Sequence, residues 1–97
     1  MPTYIVLLNW TEQGVKSVKD TVDRYEEGKA TFKEQGVTFR DTYWTVGPYD
    51  VVSTIDAPDD ETLSAALLAL AGLGNVRSTT MRAFSPDEMR GLLGRMP

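Results

Sequence analysis

The chain has 97 residues, ten basic and fourteen acidic, with a formal net charge of -4, no cysteine and no histidine. This length makes a single domain, residues 1–97, and hydrophobic residues at 41% supply a core, which excludes wholesale disorder. The missing Cys and His exclude disulfides, thiolate chemistry, His-based triads, imidazole zinc sites and a His-ligated haem.

Mild acidity without a long block of either sign leaves no electrostatic footprint for nucleic acid or an anionic membrane. Met1-Pro2-Thr3 carries no basic region of the kind that opens a signal peptide. The most apolar segment, Leu63 to Leu73, is shorter than the about 20 residues that a bilayer span needs. A cytoplasmic protein without metal, haem or other cofactor is expected.

In chain order, Thr3 to Trp10 reads as a strand. Tyr4 to Leu8 are apolar without alternation, the pattern of a strand buried on both faces and central in its sheet. Thr11 is positioned to cap a helix, with Glu12 in its first turn. Val15, Val18, Val22, Tyr25 and Phe32 form a helical stripe interrupted by Lys29, and Gly36 is the expected stop. Gly28, inside this helix, costs about 1 kcal/mol relative to Ala.

Val37 to Val46 and Tyr49 to Asp56 read as two strands of a hairpin around Gly47-Pro48. A two-residue type II′ turn there puts Val46, Tyr49, Trp44, Val51 and Ile55 on one face. Phe39, Tyr43, Val52, Asp50 and Asp41 then share the other, and a slip of one residue would exchange the two sets. Pro58 opens the next helix, with acidic residues in its first turn and Leu63, Ala66, Leu67, Leu70 and Leu73 as its apolar face. Gly72-Leu73-Gly74 follows a helix and precedes a strand, the wrong context for a phosphate loop, and reads as a helix end. Asn75 to Phe84 is the fourth strand. Ser85-Pro86-Asp87-Glu88 is a capping box for a short C-terminal helix with Met89, Leu92, Leu93 and Met96 on one side.

This order is the α+β, ferredoxin-like βαββαβ pattern. It predicts a four-stranded antiparallel sheet with the first strand between the third and fourth, and two helices on one face. The opposite face is left open and apolar, and a second copy of the chain is the expected cover, with the C-terminal helix as the competing one.

Gly47-Pro48-Tyr49-Asp50 resembles the Gly-x-Tyr-Asp signature of the GYD domain. Thr11-Glu12-Gln13-Gly14, Ala57-Pro58-Asp59-Asp60-Glu61, Leu73-Gly74-Asn75-Val76-Arg77 and Arg82-Ala83-Phe84 are similar to that family in the same order, so the resemblance spans roughly Pro2 to Glu88. It implies a subunit of the dimeric α/β barrel superfamily, in which two sheets meet face to face. The superfamily includes cofactor-independent monooxygenases, isomerases, haem enzymes and ligand-sensing domains. The resemblance itself supplies no activity.

The candidate ligand-binding residues are Trp10, Tyr43, Tyr49 and Asp50; none is assigned a catalytic role. Tyr49 and Asp50 offer a phenol and a carboxylate to a pocket, against a plainer role in turn hydrogen bonding and edge packing. Trp10, Tyr43 and Trp44 are able to flank an aromatic ligand, against a role in core or interface. Trp10 is the best placed of these, at the end of the central strand. Arg77 and Arg82 suit an anionic ligand, but edge-strand charge also deters unwanted pairing. Pro2, if exposed as a secondary amine, matches proline-dependent tautomerases only where a cationic pocket surrounds it. The reading is a homodimeric small-molecule-binding or structural protein; the alternative is a cofactor-independent monooxygenase or isomerase for a small aromatic or polyketide-like substrate.

Overall fold

The computed structural model describes residues 1–97. Strands β1 (Thr3–Trp10), β2 (Thr38–Trp44), β3 (Val51–Asp56) and β4 (Val76–Ala83) form one antiparallel sheet in the order β2-β3-β1-β4. Helices α1 (Glu12–Lys16) and α2 (Thr21–Glu34) join β1 to β2, α3 (Asp60–Gly72) joins β3 to β4, and α4 (Pro86–Leu93) follows the sheet. This is the ferredoxin-like arrangement, with β1 central as its unbroken apolar run requires.

Alternation along β1 divides its side chains between two environments. Tyr4 and Val6 are 4% and 1% exposed and meet Phe32 of α2 and Leu63, Ala66 and Leu67 of α3 in one core, with Leu8 packed against it. Ile5 and Leu7 point to the opposite face, where their cross-strand partners are Met81 and Thr79 of β4 and Thr54 and Val52 of β3. No helix covers that face: Tyr43 is 65% and Met81 45% exposed. Only 12 of the 97 residues are buried, because the sheet is packed on one side. Each large apolar side chain in that core contributes about 1.5–3 kcal/mol.

The hairpin follows the expected register near its turn, with Trp44 opposite Val51 and Tyr43 opposite Val52. The turn itself is longer than expected. Thr45 N still donates to Asp50 O at 2.9 Å, so the loop is Val46 to Tyr49, tied by a 2.6 Å bond from Thr45 Oγ1 to Tyr49 O. Val46 and Tyr49 therefore lie outside the ladder rather than on the face of Trp44. Farther from the turn, a bulge between Phe39 and Asp41 makes Phe39 the partner of Ile55. Arg40 is the extra residue, and it moves Phe39 to the helix side, where its ring lies 5.2 Å from Phe32 and 5.9 Å from Tyr25. Phe39 does not share the open face with Tyr43 and Val52.

The expected first helix is broken. The chain bends at Ser17 (φ −116°, ψ 31°) into a 3₁₀ turn, Val18–Asp20, before α2 begins. The two helical segments answer to different neighbours: α1 buries Gly14 and α2 buries Phe32. Val15 and Val22 consequently face solvent, at 49% and 54% exposure.

Thr11 caps α1 as expected, accepting from Gly14 N at 3.0 Å. Helix α3 starts two residues after Pro58: Asp59 is its cap and accepts from Thr62 N at 2.7 Å. Leu73, past the end of α3, is 66% exposed and leaves the apolar face to Leu63, Ala66, Leu67 and Leu70. The capping box of α4 is formed in both directions, Glu88 N to Ser85 Oγ at 3.1 Å and Ser85 N to Glu88 Oε1 at 3.0 Å. Helix α4 buries none of its residues, so it does not cover the open sheet face.

Candidate functional site

Helices α2 and α3 lie on the same side of the sheet with a valley between them. The valley is a cleft of about 610 Å³, lined mainly by apolar side chains. This volume lies in the range of small-molecule sites. Its walls come from every layer of the fold: Leu8 and Trp10 of β1, Tyr25 and Phe32 of α2, Phe39 and Trp44 of β2, and Ala66 and Leu70 of α3.

The aromatic wall is organised around Tyr25. Its ring meets Trp44 edge-on at 5.5 Å and is tilted against Phe39 at 5.9 Å, arrangements that suit the ring quadrupoles. The Trp44 indole N–H donates to Thr21 Oγ1 at 3.0 Å, linking the end of β2 to the first residue of α2. The Phe39 bulge supports this wall, since a regular strand would turn that ring to the other side of the sheet.

The end of the cleft near Trp10 is held by backbone contacts. Gly14 of α1 sits so close to the start of β4 that a Cβ there would lie 1.9 Å from Asn75 O. Thr11 N donates to Asn75 O at 3.0 Å and Thr11 Oγ1 to Gly74 O at 2.5 Å. Gln13 Nε2 adds bonds of 3.0 Å to Leu73 O and 2.9 Å to Asn75 Oδ1. The motif residues Thr11 to Gly14 and Leu73 to Asn75 thus form one junction between the start of α1 and the start of β4.

Of the four candidate residues, Trp10 lines the cleft. Asp50 instead accepts from Trp10 N at 2.9 Å, while its own N–H donates to Leu8 O at 2.8 Å. It fixes the end of β1 through one carboxylate oxygen, Oδ2. Tyr49 stands in the hairpin loop with its carbonyl bonded to Thr45, and Tyr43 lies on the far face of the sheet. The four do not converge. Tyr25, Phe39 and Gly28 are not among the sequence candidates, and Trp44, weighed there as a ligand flank, does line the cleft.

Polar chemistry inside the cleft is sparse. No buried side-chain nitrogen or oxygen lacks a hydrogen-bond partner. Arg24 and Glu27 are the charged residues of the lining, and both are exposed. No group of three or more acidic residues is placed to hold a metal ion.

A smaller cavity, about 270 Å³, lies between Tyr4, Asp60 and Arg82. The Tyr4 hydroxyl donates to the Asp60 carboxylate, and this bond, with burial and the negative charge of Asp60, pushes the phenol up to about 12. Arg82 stands 5.7 Å from the Tyr4 ring and 4.5 Å from that of Phe84, and donates to Thr3 O at 3.1 Å. These groups satisfy one another and tie β1, α3 and β4 together.

No helix is long and apolar enough to cross a membrane. Among solved structures, the crystal structure of MtbAldR (Rv2779c) superposes with a TM-score of 0.68 at 14% identity, covering 87% of this chain and 52% of that one. This chain thus spans about half of MtbAldR. The crystal structure of TTHA0845 from Thermus thermophilus gives a TM-score of 0.56 at 24% identity, covering 88% of this chain and 95% of that one. Both support the fold. In sequence, the chain is 34% identical over 84 residues to the glutamine synthetase and cystathionine beta-lyase binding protein of Thermus thermophilus. That match covers 86% of this chain and 88% of the relative. The GYD domain model matches residues 4–93, nearly the whole chain, and the protein belongs to the GYD domain family.

Proposed function

We propose that this GYD domain protein is a cytoplasmic homodimer that binds a small molecule without catalysis. The observation carrying the binding reading is the cleft of about 610 Å³ between α2, α3 and the sheet, with Trp10, Tyr25, Phe39 and Trp44 in its walls. Dimerisation is supported by the uncovered sheet face, where Ile5, Leu7, Tyr43, Val52 and Met81 form an apolar band that a two-fold axis would bury on both copies. Two such sheets packed together would make a dimeric α/β barrel.

The binding test is a titration with the neutral dye Nile red, followed by dye fluorescence and by quenching of tryptophan emission. Saturable binding at one site per protomer, weakened by Trp44→Ala, is expected; no saturable binding would overturn the reading. The dimer test is sedimentation equilibrium at micromolar concentration. Tyr43→Glu or Val52→Glu should dissociate the assembly, and a monomer mass for the unsubstituted protein would refute it. The enzymatic alternative lacks a shielded carboxylate in the cleft, since Glu27 is exposed and Asp50 is bonded to Trp10 N.

A second reading, binding to an enzyme partner, is favoured by the relative named for binding glutamine synthetase and cystathionine beta-lyase. Helix α4 and the residues after it offer a surface for it, with Met89, Leu93 and Met96 at 46%, 53% and 68% exposure. Co-elution of the protein with either purified enzyme, lost on Leu93→Glu, is expected; failure to co-elute with both would sink this reading.

A further inference from the structure

Gly28 is out of place by the rules of helix stability. It lies in the interior of α2, where Gly is less favourable than Ala by about 1 kcal/mol. Glycine is commonly required where the backbone takes a positive φ or where another chain segment presses close. Neither holds at Gly28: its φ is not positive, and a Cβ built there meets nothing within 4 Å. Tyr25, three residues before it, and Phe32, four residues after it, face the sheet, so Gly28 occupies the same stripe of the helix. It is part of the cleft lining, and the consequence of its missing side chain is room between these two aromatic rings.

The chemistry of that room is also defined. The aromatic residues Tyr25, Phe32, Phe39 and Trp44 supply flat apolar walls. No buried side-chain polar atom is left without a partner to receive a ligand's charge. The nearest charges, Arg24 and Glu27, are of opposite sign and exposed. A charged ligand group carried onto the aromatic wall would lose water without gaining a buried partner, since Arg24 and Glu27 stand in solvent. We infer that Gly28 is the specificity-determining residue of the cleft, and that the ligand is an uncharged, planar aromatic molecule seated against it. This inference rests on the proposal that the cleft binds small molecules.

The protein carries its own reporter. Its two tryptophans, Trp10 and Trp44, both line the cleft, so tryptophan quenching reads occupancy without a label. The probes are 2-naphthol and 2-naphthoate at neutral pH, two planar bicyclic molecules that differ in charge. The unsubstituted protein should bind 2-naphthol about tenfold or more tightly than 2-naphthoate, because the carboxylate would be desolvated unpaired. Gly28→Leu should weaken 2-naphthol binding by about tenfold or more, since its side chain takes the ligand's space. Gly28→Ala should melt at or above the temperature of the unsubstituted protein, because Ala favours the helix and its Cβ meets nothing within 4 Å.

Each outcome bears on the inference. Equal binding of the two probes would overturn the ligand class. Binding unaltered by Gly28→Leu would overturn the placement. A lower melting temperature for both Gly28→Ala and Gly28→Leu would show that the glycine serves packing and would overturn its assigned role. Saturable binding of 1-octanol, followed by the shift of tryptophan emission, without 2-naphthol binding would reject the aromatic class while the cleft reading stands. If neither binds, both fall.

Discussion

Two glycine-to-alanine changes in neighbouring helices should move stability in opposite directions. At Gly14 an added Cβ would lie 1.9 Å from Asn75 O and 2.8 Å from its carbonyl carbon. Carbon–oxygen contacts in proteins come no closer than about 3.3 Å without strain, so α1 must back away from β4 by more than about 1 Å. That movement opens the bonds from Thr11 N to Asn75 O, Thr11 Oγ1 to Gly74 O and Gln13 Nε2 to Asn75 Oδ1. Three bonds at about 0.5–1.5 kcal/mol each outweigh the about 1 kcal/mol that Ala returns in helix propensity, for a net loss of about 0.5–3.5 kcal/mol. At Gly28 nothing opposes the added methyl, and Ala should stabilise by up to about 1 kcal/mol. Urea unfolding followed by circular dichroism, at one protein concentration for all variants, measures both. The midpoint should fall for Gly14→Ala and rise for Gly28→Ala with unchanged slopes. A Gly14→Ala midpoint at or above that of the unsubstituted protein would refute the backbone junction between α1 and β4.

Asp50→Ala removes the acceptor of Trp10 N and should cost about 1.5–3 kcal/mol in urea unfolding, as expected for a bond to a charged group. An unchanged midpoint would return Asp50 to the free carboxylates. Tyr4 carries a linkage prediction: its folded-state value of about 12 exceeds the ordinary 10.0, so its contribution is complete below pH 10. It is lost as pH rises from there through about 12, while the unfolded chain ionises first. Tyr4→Phe should show a shallower alkaline loss of stability over that window, and parallel pH profiles would contradict the Tyr4–Asp60 bond. At the acid end, the Asp59 carboxylate is held below its usual value by the bonds from Thr62. Its contribution is present above the ordinary carboxylate range and fades as pH falls through the lowered value; Asp59→Ala should flatten that acid limb. Deleting Arg40 removes the bulge residue but leaves Phe39 and Asp41 on their present faces, so the fold should survive. Deleting Thr42 exchanges the faces of the adjoining residues and should not be tolerated, as circular dichroism and solubility would report.

The strand order is readable in the sequence because β1 cannot be apolar on both sides at an edge. The hairpin register near Trp44 is readable because β-branched and aromatic residues bracket Gly47-Pro48. The bulge at Arg40 is not, since an inserted residue leaves alternation on both sides of it locally intact. Ser17 likewise carries no strong breaker, and the bend there follows from two neighbours pulling adjacent helical segments in different directions. Asp50 reads as a turn residue, but its actual partner, Trp10 N, is forty positions away and visible only in the fold. Among candidate residues, Trp10 is legible from its place at the end of the central strand. The cleft is not, because a cavity is built from what side chains omit. Gly28 looks like a cost in the sequence and becomes intelligible beside Tyr25 and Phe32.

The pairing of Thr3 with Ala83 has a kinetic side. The central strand gains one neighbour only after nearly the whole chain has been synthesised and brought back to its beginning, and such distant pairings slow folding. The same geometry offers a remedy. Antiparallel partners lie about 5 Å apart, so a two-residue turn can join Ala83 directly to Thr3, with new ends opened at the exposed Gly47-Pro48 tip. Helix α4, which buries none of its residues, would be left out. In that circular permutant the β1–β4 pair becomes a local hairpin and the distant pairing moves to β2, at the sheet's margin. Its refolding should be faster than that of the parent chain, because the entropy of closing the longest loop no longer stands before completion of the sheet's centre.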